Sequence, residues 1–326
     1  MTLSTDELSA NAMGGTEIMK YGLIDRIDPE LLKEFQIIPS RVRDLDETKV
    51  RILWCHDLPG DPESEHLKNG GWKKFHKIVF VSNWQMQAYI NHYDIPWSRC
   101  LVMQNAITPI EVTATDKPTD KIKLVYTPTP HRGLDILYSV FDKLCEKHDN
   151  IELDVFSSFK LYGWDERDKQ FEPLFDALRN HPKINYHGTQ PNSVVRETLK
   201  KSHIFAYPST WPETSCICLL EAMSAGMVCV HPNFAALPET AANWTFMYQW
   251  NEDKNEHAKM FYTVLDSIIE DIKADGMENR VFGQKGYIDA FYNWEIRARQ
   301  WTALLKSLVD LPRGFEKQMF TYKVGP

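Results

Sequence analysis

YPSTWPETSCICLLEAMSAGMVCVHPN, residues 207–233, holds a strand end, a loop, a helix and a second strand in one unbroken run. The apolar segment before it stops at Tyr207, and Pro208 and Pro212 keep the next residues out of regular structure. A helix is predicted from Ser215 or Cys216, and MVCVHPN after it is a short strand without inside–outside alternation. Such strands belong to parallel sheets covered on both faces. Open sheets of that kind bind ligands beyond the carboxyl ends of their strands. Here that end carries Glu213 in the loop, with Glu221 eight positions later on the helix. With Thr214 or Ser215 as cap, the first free N–H groups of the helix, around Cys216 and Ile217, point back toward Glu213 and make a ready anion site. Glu221 then lies ~7–8 Å along the axis, at a rise of ~1.5 Å per residue. That offset suits a diphosphate with a sugar on one side, held by Glu213, and a ribose diol on the other, held by Glu221.

The same alternation extends outward in both directions. Upstream, TEIMKYGLIDRI is a predicted helix and EFQIIPS and VRILWCHDL are strands. A helix near 64–76 precedes the strand KIVFVSN, and WQMQAYINHY and CLVMQNA follow as helix and strand. The polar segment TPIEVTATDKPTDKIK, 108–123, lacks periodicity and is a predicted linker. Past it come the strand KLVYTPT, the helix LDILYSVFDKLCEKH, the strands IELDVFSS and KINYHGT, the helix SVVRETLKKS and the strand HIFAYPS. Helices over 255–273, about 279–292 and WEIRARQWTALLKSLVD follow the opening stretch. The expected fold is α/β, with two Rossmann-like doubly wound domains facing a cleft. Residues 1–115 would form an acceptor-side domain, 116–298 a donor-binding domain, and 299–326 a helix and tail packing back toward the first. Chemistry is therefore sought just after the strands, at His56 with Asp57, Asn83, Asn105, His131 with Arg132, Gly188, 209–215 and Asn233.

The 207–233 stretch resembles the donor-site signature of retaining GT-B glycosyltransferases, specifically glycosyltransferase family 4. In that signature a Pro-Ser strand end is followed by a Glu, seven residues, a second Glu and Ala-Met-x-Ala-Gly. The matching positions are Pro208, Ser209, Glu213, Glu221, Ala222, Met223, Ala225 and Gly226, and LPET at 237–240 resembles the family's Leu-Pro-Glu. KLVYTPTPHRGLDIL resembles the segment carrying a phosphate-binding basic residue, here Arg132, whose guanidinium fork suits a diphosphate. INYHGTQP resembles the strand end that places a glycine, Gly188, beside the nucleotide base. FYNWE at 291–295 resembles the element before the helix that crosses back, and Gly14-Gly15-Thr16 the glycine-rich loop over the donor phosphates. His56 stands at the family's cleft-facing strand end. Two departures stand out. Thr127 occupies a position where many relatives have a second Arg, which leaves His131 or another group to make up the charge, or else the phosphates less firmly held. Little sequence precedes Gly14, so the usual first strand is expected to be missing and the N-terminal domain to be short.

The resemblance implies a retaining transferase that moves a sugar from a nucleoside diphosphate, of UDP or GDP type, to an acceptor hydroxyl. Arg132, the helix start near Cys216 and the Gly14-Gly15 backbone would stabilise charge on the leaving diphosphate. Glu213 would orient the sugar, His56 would reach across the cleft, and a phosphate oxygen would take the acceptor proton. Neither a metal nor a resident cofactor is expected. Saccharide, glycolipid, protein and modified DNA all remain as acceptor classes. Two rivals share the architecture: a sugar-nucleotide epimerase, and a non-catalytic scaffold that binds a nucleotide sugar.

Composition narrows the partners. Hydrophobic residues make up 43% and charged ones 25%, as in ordinary globular proteins, and the formal charge of −8 opposes a broad nucleic-acid surface. The exception is KNGGWKKFHK, 68–77, with four lysines and no acid; it is a candidate contact for an anionic partner or membrane surface, against the plainer reading of a solvated helix face. No apolar run approaches the ~20 residues of a spanning helix. The start, MTLSTDELSANAMGG, lacks a secretory pattern, so a cytoplasmic protein with a possible peripheral membrane contact is expected. The six cysteines include no C-x-x-C pair and are expected as reduced thiols.

Overall fold

The computed structural model describes residues 14–113, 115–274 and 278–314, organised around two parallel sheets. The first half comprises α1 (Gly15–Ile24), α2 (Pro29–Leu32), β1 (Phe35–Pro39), β2 (Val50–Cys55), β3 (Lys77–Phe80), α3 (Asn83–Tyr93) and β4 (Cys100–Val102). Its sheet runs in chain order, β1-β2-β3-β4. Neighbouring residues of each strand feed opposite cores: Ile37, Ile52 and Val79 pack with α1, while Ile38, Leu53 and Ile78 pack with α3. Both faces are therefore covered, which is why VRILWC is apolar at nearly every position.

The second half contains β5 (Ile122–Tyr126), α4 (Leu134–Cys145), β6 (Ile151–Val155), α5 (Glu172–Asn180), β7 (Ile184–Tyr186), α6 (Asn192–Lys200) and β8 (Ile204–Ala206). It continues with α7 (Ile217–Ser224), β9 (Val228–Pro232), α8 (Leu237–Ala241), β10 (Phe246–Tyr248), α9 (Lys254–Lys273), α10 (Glu278–Phe291) and α11 (Trp294–Leu308). The strand order is β10-β9-β8-β5-β6-β7. Chain direction across the sheet reverses between β5 and β8, and a crevice opens at such a reversal beyond the strand ends. Those two ends lead into 127–132 and 207–213, the segments singled out from sequence.

The halves are joined twice, side by side. The Ile107 N–H donates to the Tyr292 carbonyl at 2.7 Å, and Ile107 bridges to Asn293. Helix α11 buries Trp294, Trp301 and Leu305 in the first core, with the Trp301 and Trp54 rings 4.9 Å apart. Gly22 on α1 makes room for Trp294; a Cβ there would sit 2.1 Å from its ring. The return crossing thus falls at 292–294 rather than at 299. Two sequence expectations, the outer domain limits and the missing first strand, fall on 1–13 and 315–326, outside the described residues.

Other differences have local causes. The expected helix near 64–76 is a pair of 3-10 turns within Pro62–Lys74, broken where Asn69 (φ 54°) and Gly70 (φ 78°) turn left-handed. Within 68–77, Lys68 pairs with Glu65, Lys73 lies over the Trp72 ring and Lys77 donates to the Ser98 carbonyl, which favours a solvated face over a docking patch. Helix α5 is not legible in the sequence because the charged run before it masks the Phe175–Leu178 face that it buries. Strand β10 is only three residues long, at a sheet edge. All six cysteines are free; Cys55, Cys216 and Cys229 are buried and the other three half-buried. Among the described residues, no helix is long and apolar enough to cross a membrane.

Candidate active site

The crevice at the β5/β8 reversal opens into a cleft of about 940 Å³ walled by both halves. From β5 the chain turns through Pro130–Arg132 into Gly133, whose φ of 106° suits glycine alone. A Cβ on Gly133 would also stand 2.1 Å from the Pro208 carbonyl, so the loops after β5 and β8 touch at this point. That contact sets Arg132 beside Glu213. Arg132 Nη1 donates to Glu213 Oε1 at 2.7 Å, and the buried Tyr207 hydroxyl donates to the same oxygen. Burial works against the charge on Arg132, but Glu213 outweighs it and holds the guanidinium protonated.

Glu221 sits one turn into α7 and is also buried, which raises its pKa against the pull of Arg196. Arg196 Nη1 donates to it at 2.8 Å and Asn192 Nδ2 at 3.3 Å. The second fork of Arg196 holds the Thr108 carbonyl at 2.8 Å, so this carboxylate is fixed to the start of the linker. Both acids therefore line one cleft, on either side of the start of α7. The helix cap is Cys216, without a side-chain capping bond, and not Thr214 or Ser215 as expected. Thr214 is engaged elsewhere, its hydroxyl donating across the cleft to the His56 carbonyl at 2.8 Å. Ser215, Cys216 and Ile217 line the cleft beside it.

On the opposite wall, His56 follows β2, with its N–H on the Ser40 hydroxyl at 2.9 Å and its ring 4.7 Å from Trp54. Burial lowers its pKa to about 3, so the ring is neutral at physiological pH. His131 stacks on Phe159 at 5.1 Å, and burial together with Arg132 and Arg167 lowers its pKa to about 4. His131 is thus no substitute cation. Thr127 lines the cleft as expected, and Gly188 does so with a left-handed φ of 63° and open space beside it.

The glycine pair departs from expectation. Gly15 and Thr16 line the cleft, whereas Gly14 lies buried under Tyr162; a Cβ on Gly14 would stand 2.4 Å from that ring. Gly15 likewise approaches Ile217, at 3.1 Å from its would-be Cβ. These glycines let the two walls meet.

Five buried polar atoms on cleft-lining residues have no partner among the described residues: His56 Nε2, Asn105 Oδ1, Thr129 Oγ1, His131 Nδ1 and Arg132 Nε. Leaving such groups unsatisfied costs about 1–3 kcal/mol each, so their concentration in one crevice marks a place built to meet a polar ligand. Asn105 is singled out from sequence by its place after a strand, without an assigned role, whereas nothing in the sequence singles out Thr129.

Comparison with known proteins bears on the family and the fold. The model of the glycosyl transferases group 1 family matches residues 110–281. The GPI3 subunit of phosphatidylinositol N-acetylglucosaminyltransferase from Saccharomyces cerevisiae is 23% identical over 182 residues, covering 53% of this chain and 39% of that protein. A phosphatidylinositol N-acetylglucosaminyltransferase subunit from Arabidopsis thaliana is 24% identical over 232 residues, 69% of this chain and 47% of that one. The chain spans less than half the length of these curated relatives. Among solved structures, a glycosyltransferase from Rickettsia africae superposes with a TM-score of 0.66 at 14% identity, covering 93% of this chain and 84% of that chain. The pneumococcal O-GlcNAc transferase GtfA, solved with UDP and GlcNAc, gives 0.64 at 10% identity, covering 90% and 60%. The shared architecture is the two-domain GT-B fold.

Proposed function

The chain belongs to the glycosyl transferases group 1 family, and from that premise we propose that it transfers a sugar from a nucleoside diphosphate to an acceptor hydroxyl with retention. The observation that carries this reading is the pairing of Arg132 with Glu213 at the sheet reversal, with Glu221 on α7, the helix that follows Glu213. The diphosphate rests on the start of α7, where the helix dipole and the first N–H groups favour negative charge. Arg132 meets charge that grows as the glycosidic bond breaks. Glu213 takes the sugar hydroxyls and Glu221 the ribose diol. Neutral His56 offers a hydrogen bond across the cleft, and a phosphate oxygen of the leaving group accepts the acceptor proton. The protein side chains supply this stabilisation, without a resident cofactor.

The names of the yeast and Arabidopsis relatives, and that of GtfA, support UDP-N-acetylglucosamine as the first donor to try. Asp57 and Asp61 line the N-terminal wall, which supports a saccharide or glycolipid head over a nucleic-acid acceptor. The test is incubation of the full chain with UDP- and GDP-sugars, with and without an acceptor array, followed by NMR of the product anomer. Transfer with retained configuration is expected. Inversion overturns the stereochemical part, release of an isomerised sugar nucleotide favours the epimerase, and neither nucleotide binding nor donor turnover favours the scaffold.

A further inference from the structure

A diphosphate brings two negative charges into the cleft, and the residues so far assigned to it supply little net positive charge. The charge of Arg132 is matched by Glu213 at 2.7 Å. Thr127 is neutral, and His131 is held neutral by burial and by the cations near it. Glu221 adds a negative charge that Arg196 answers. On the C-terminal wall two further cations line the cleft, Lys160 and Arg167, both in the segment that follows β6.

This segment is firmly built. Buried Asp168 accepts from the Ser158 hydroxyl and from the Phe159 N–H at 2.8 Å, closing the segment on itself. Ser157 ties its root to the Pro128 carbonyl at 2.7 Å, in the loop that carries Arg132. Phe159 is buried beneath His131, so the stack leads directly from this segment to the neighbour of Arg132. Arg167 lies over Trp164 at 4.2 Å and over Phe159 at 5.9 Å, and its charge is among those that depress His131. No carboxylate among the described residues forms an ion pair with Arg167. Among the described residues Lys160 pairs with Asp165, at 3.9 Å with both side chains more than half exposed, a pairing that water largely screens.

We propose that segment 158–171 is a phosphate clamp, in which Arg167, assisted by Lys160, supplies the second positive charge for the donor diphosphate where Thr127 supplies none. The inference rests on the glycosyl-transfer reading and adds to it a residue set on a different loop. Trp164 and Phe159 hold the guanidinium plane without neutralising it, so its fork stays available to phosphate oxygens. Asp168 positions the segment and does not touch the ligand.

The test is calorimetric titration of the full chain with UDP, GDP and the two bare nucleosides, at two salt concentrations. Arg167→Ala is expected to weaken diphosphate binding about tenfold, equivalent to ~1.4 kcal/mol, and to leave nucleoside binding as in the wild type. The Arg167→Ala/Lys160→Ala pair should weaken it further and flatten its salt dependence. Arg167→Lys should recover part of the loss. Wild-type diphosphate affinity in the double variant overturns the proposal, as does an equal loss for diphosphate and nucleoside, which marks a distorted base pocket. A wild-type chain that binds nucleosides but gains nothing from their phosphates also overturns it. A wild-type chain that binds none of these ligands overturns the transfer reading itself.

Discussion

Replacing Glu213 by Gln separates the two roles that its carboxylate holds. The side chain is 6% exposed, and one oxygen takes both the Arg132 guanidinium and the Tyr207 hydroxyl. Truncation to Ala would leave that half-buried cation unpaired, at a cost below the ~3–5 kcal/mol of a fully buried pair but still a sizeable share of the ~5–15 kcal/mol that keeps a protein folded. Gln keeps the volume and an oxygen that can accept from either donor. It loses only the difference between a charge-assisted hydrogen bond and a neutral one, ~1–2 kcal/mol. For a domain of this size the thermal midpoint should fall by roughly 2–8 °C. Transfer should fall far more, about 100- to 1,000-fold in kcat, because a carboxylate aimed at the reacting sugar is gone. Binding of UDP should hold or tighten, since Arg132 loses its counter-charge. The assay pairs kcat/KM on the identified donor with UDP titration and a melting curve. Transfer within threefold of wild type refutes the assigned role. Transfer and UDP affinity falling together would show that Glu213 serves only to hold Arg132.

Two further outcomes follow from the same structure. Glu239 of the LPET stretch reaches from the second half to the start of α3, accepting from the Asn83 N–H and side-chain amide at 2.8 Å each and from the Trp84 N–H at 3.0 Å. Glu239→Ala removes this clasp at a cost of ~1–2 kcal/mol; KM for the donor should rise about five- to tenfold, with a larger radius of gyration in solution scattering, and an unchanged radius and KM would refute a clasping role. His56 and His131 have folded pKa values of about 3 and about 4, lowered chiefly by burial from an ordinary 6.5. The unfolded chain therefore takes up these protons first, so their contribution to stability is intact above about pH 6.5 and shrinks as pH falls toward 4. The thermal midpoint should drop between pH 6.5 and 5, and His131→Phe should lessen that drop; an identical slope in the variant would refute the assignment. Half-buried His203 and buried His231, both lowered to about 4, share in the wild-type effect.

The sequence exposed most of what depends on backbone geometry and little of what depends on packing between segments. Strand ends, the Glu213–Glu221 spacing and the terminal helix could all be placed, because apolar runs, prolines and helix period encode them locally. The Thr214 bond to His56 and the burial of Gly14 under Tyr162 join residues far apart in the chain, and no local pattern carries them. The same limit explains the error at His131. Next to an Arg in a phosphate-type loop, an imidazole looks like a spare cation; Phe159, Trp211 and two guanidinium groups around it make the neutral ring the stable one. The cations that line this wall, Lys160 and Arg167, lie about 30 positions downstream, Arg167 in a charge-dense stretch, WDERDKQ, that resembles any solvated turn. Only when Asp168 folds that stretch back onto the Phe159 stack does Arg167 come to face the donor wall. A single buried carboxylate, with no chemistry of its own to announce it, thus separates a surface charge run from a binding element.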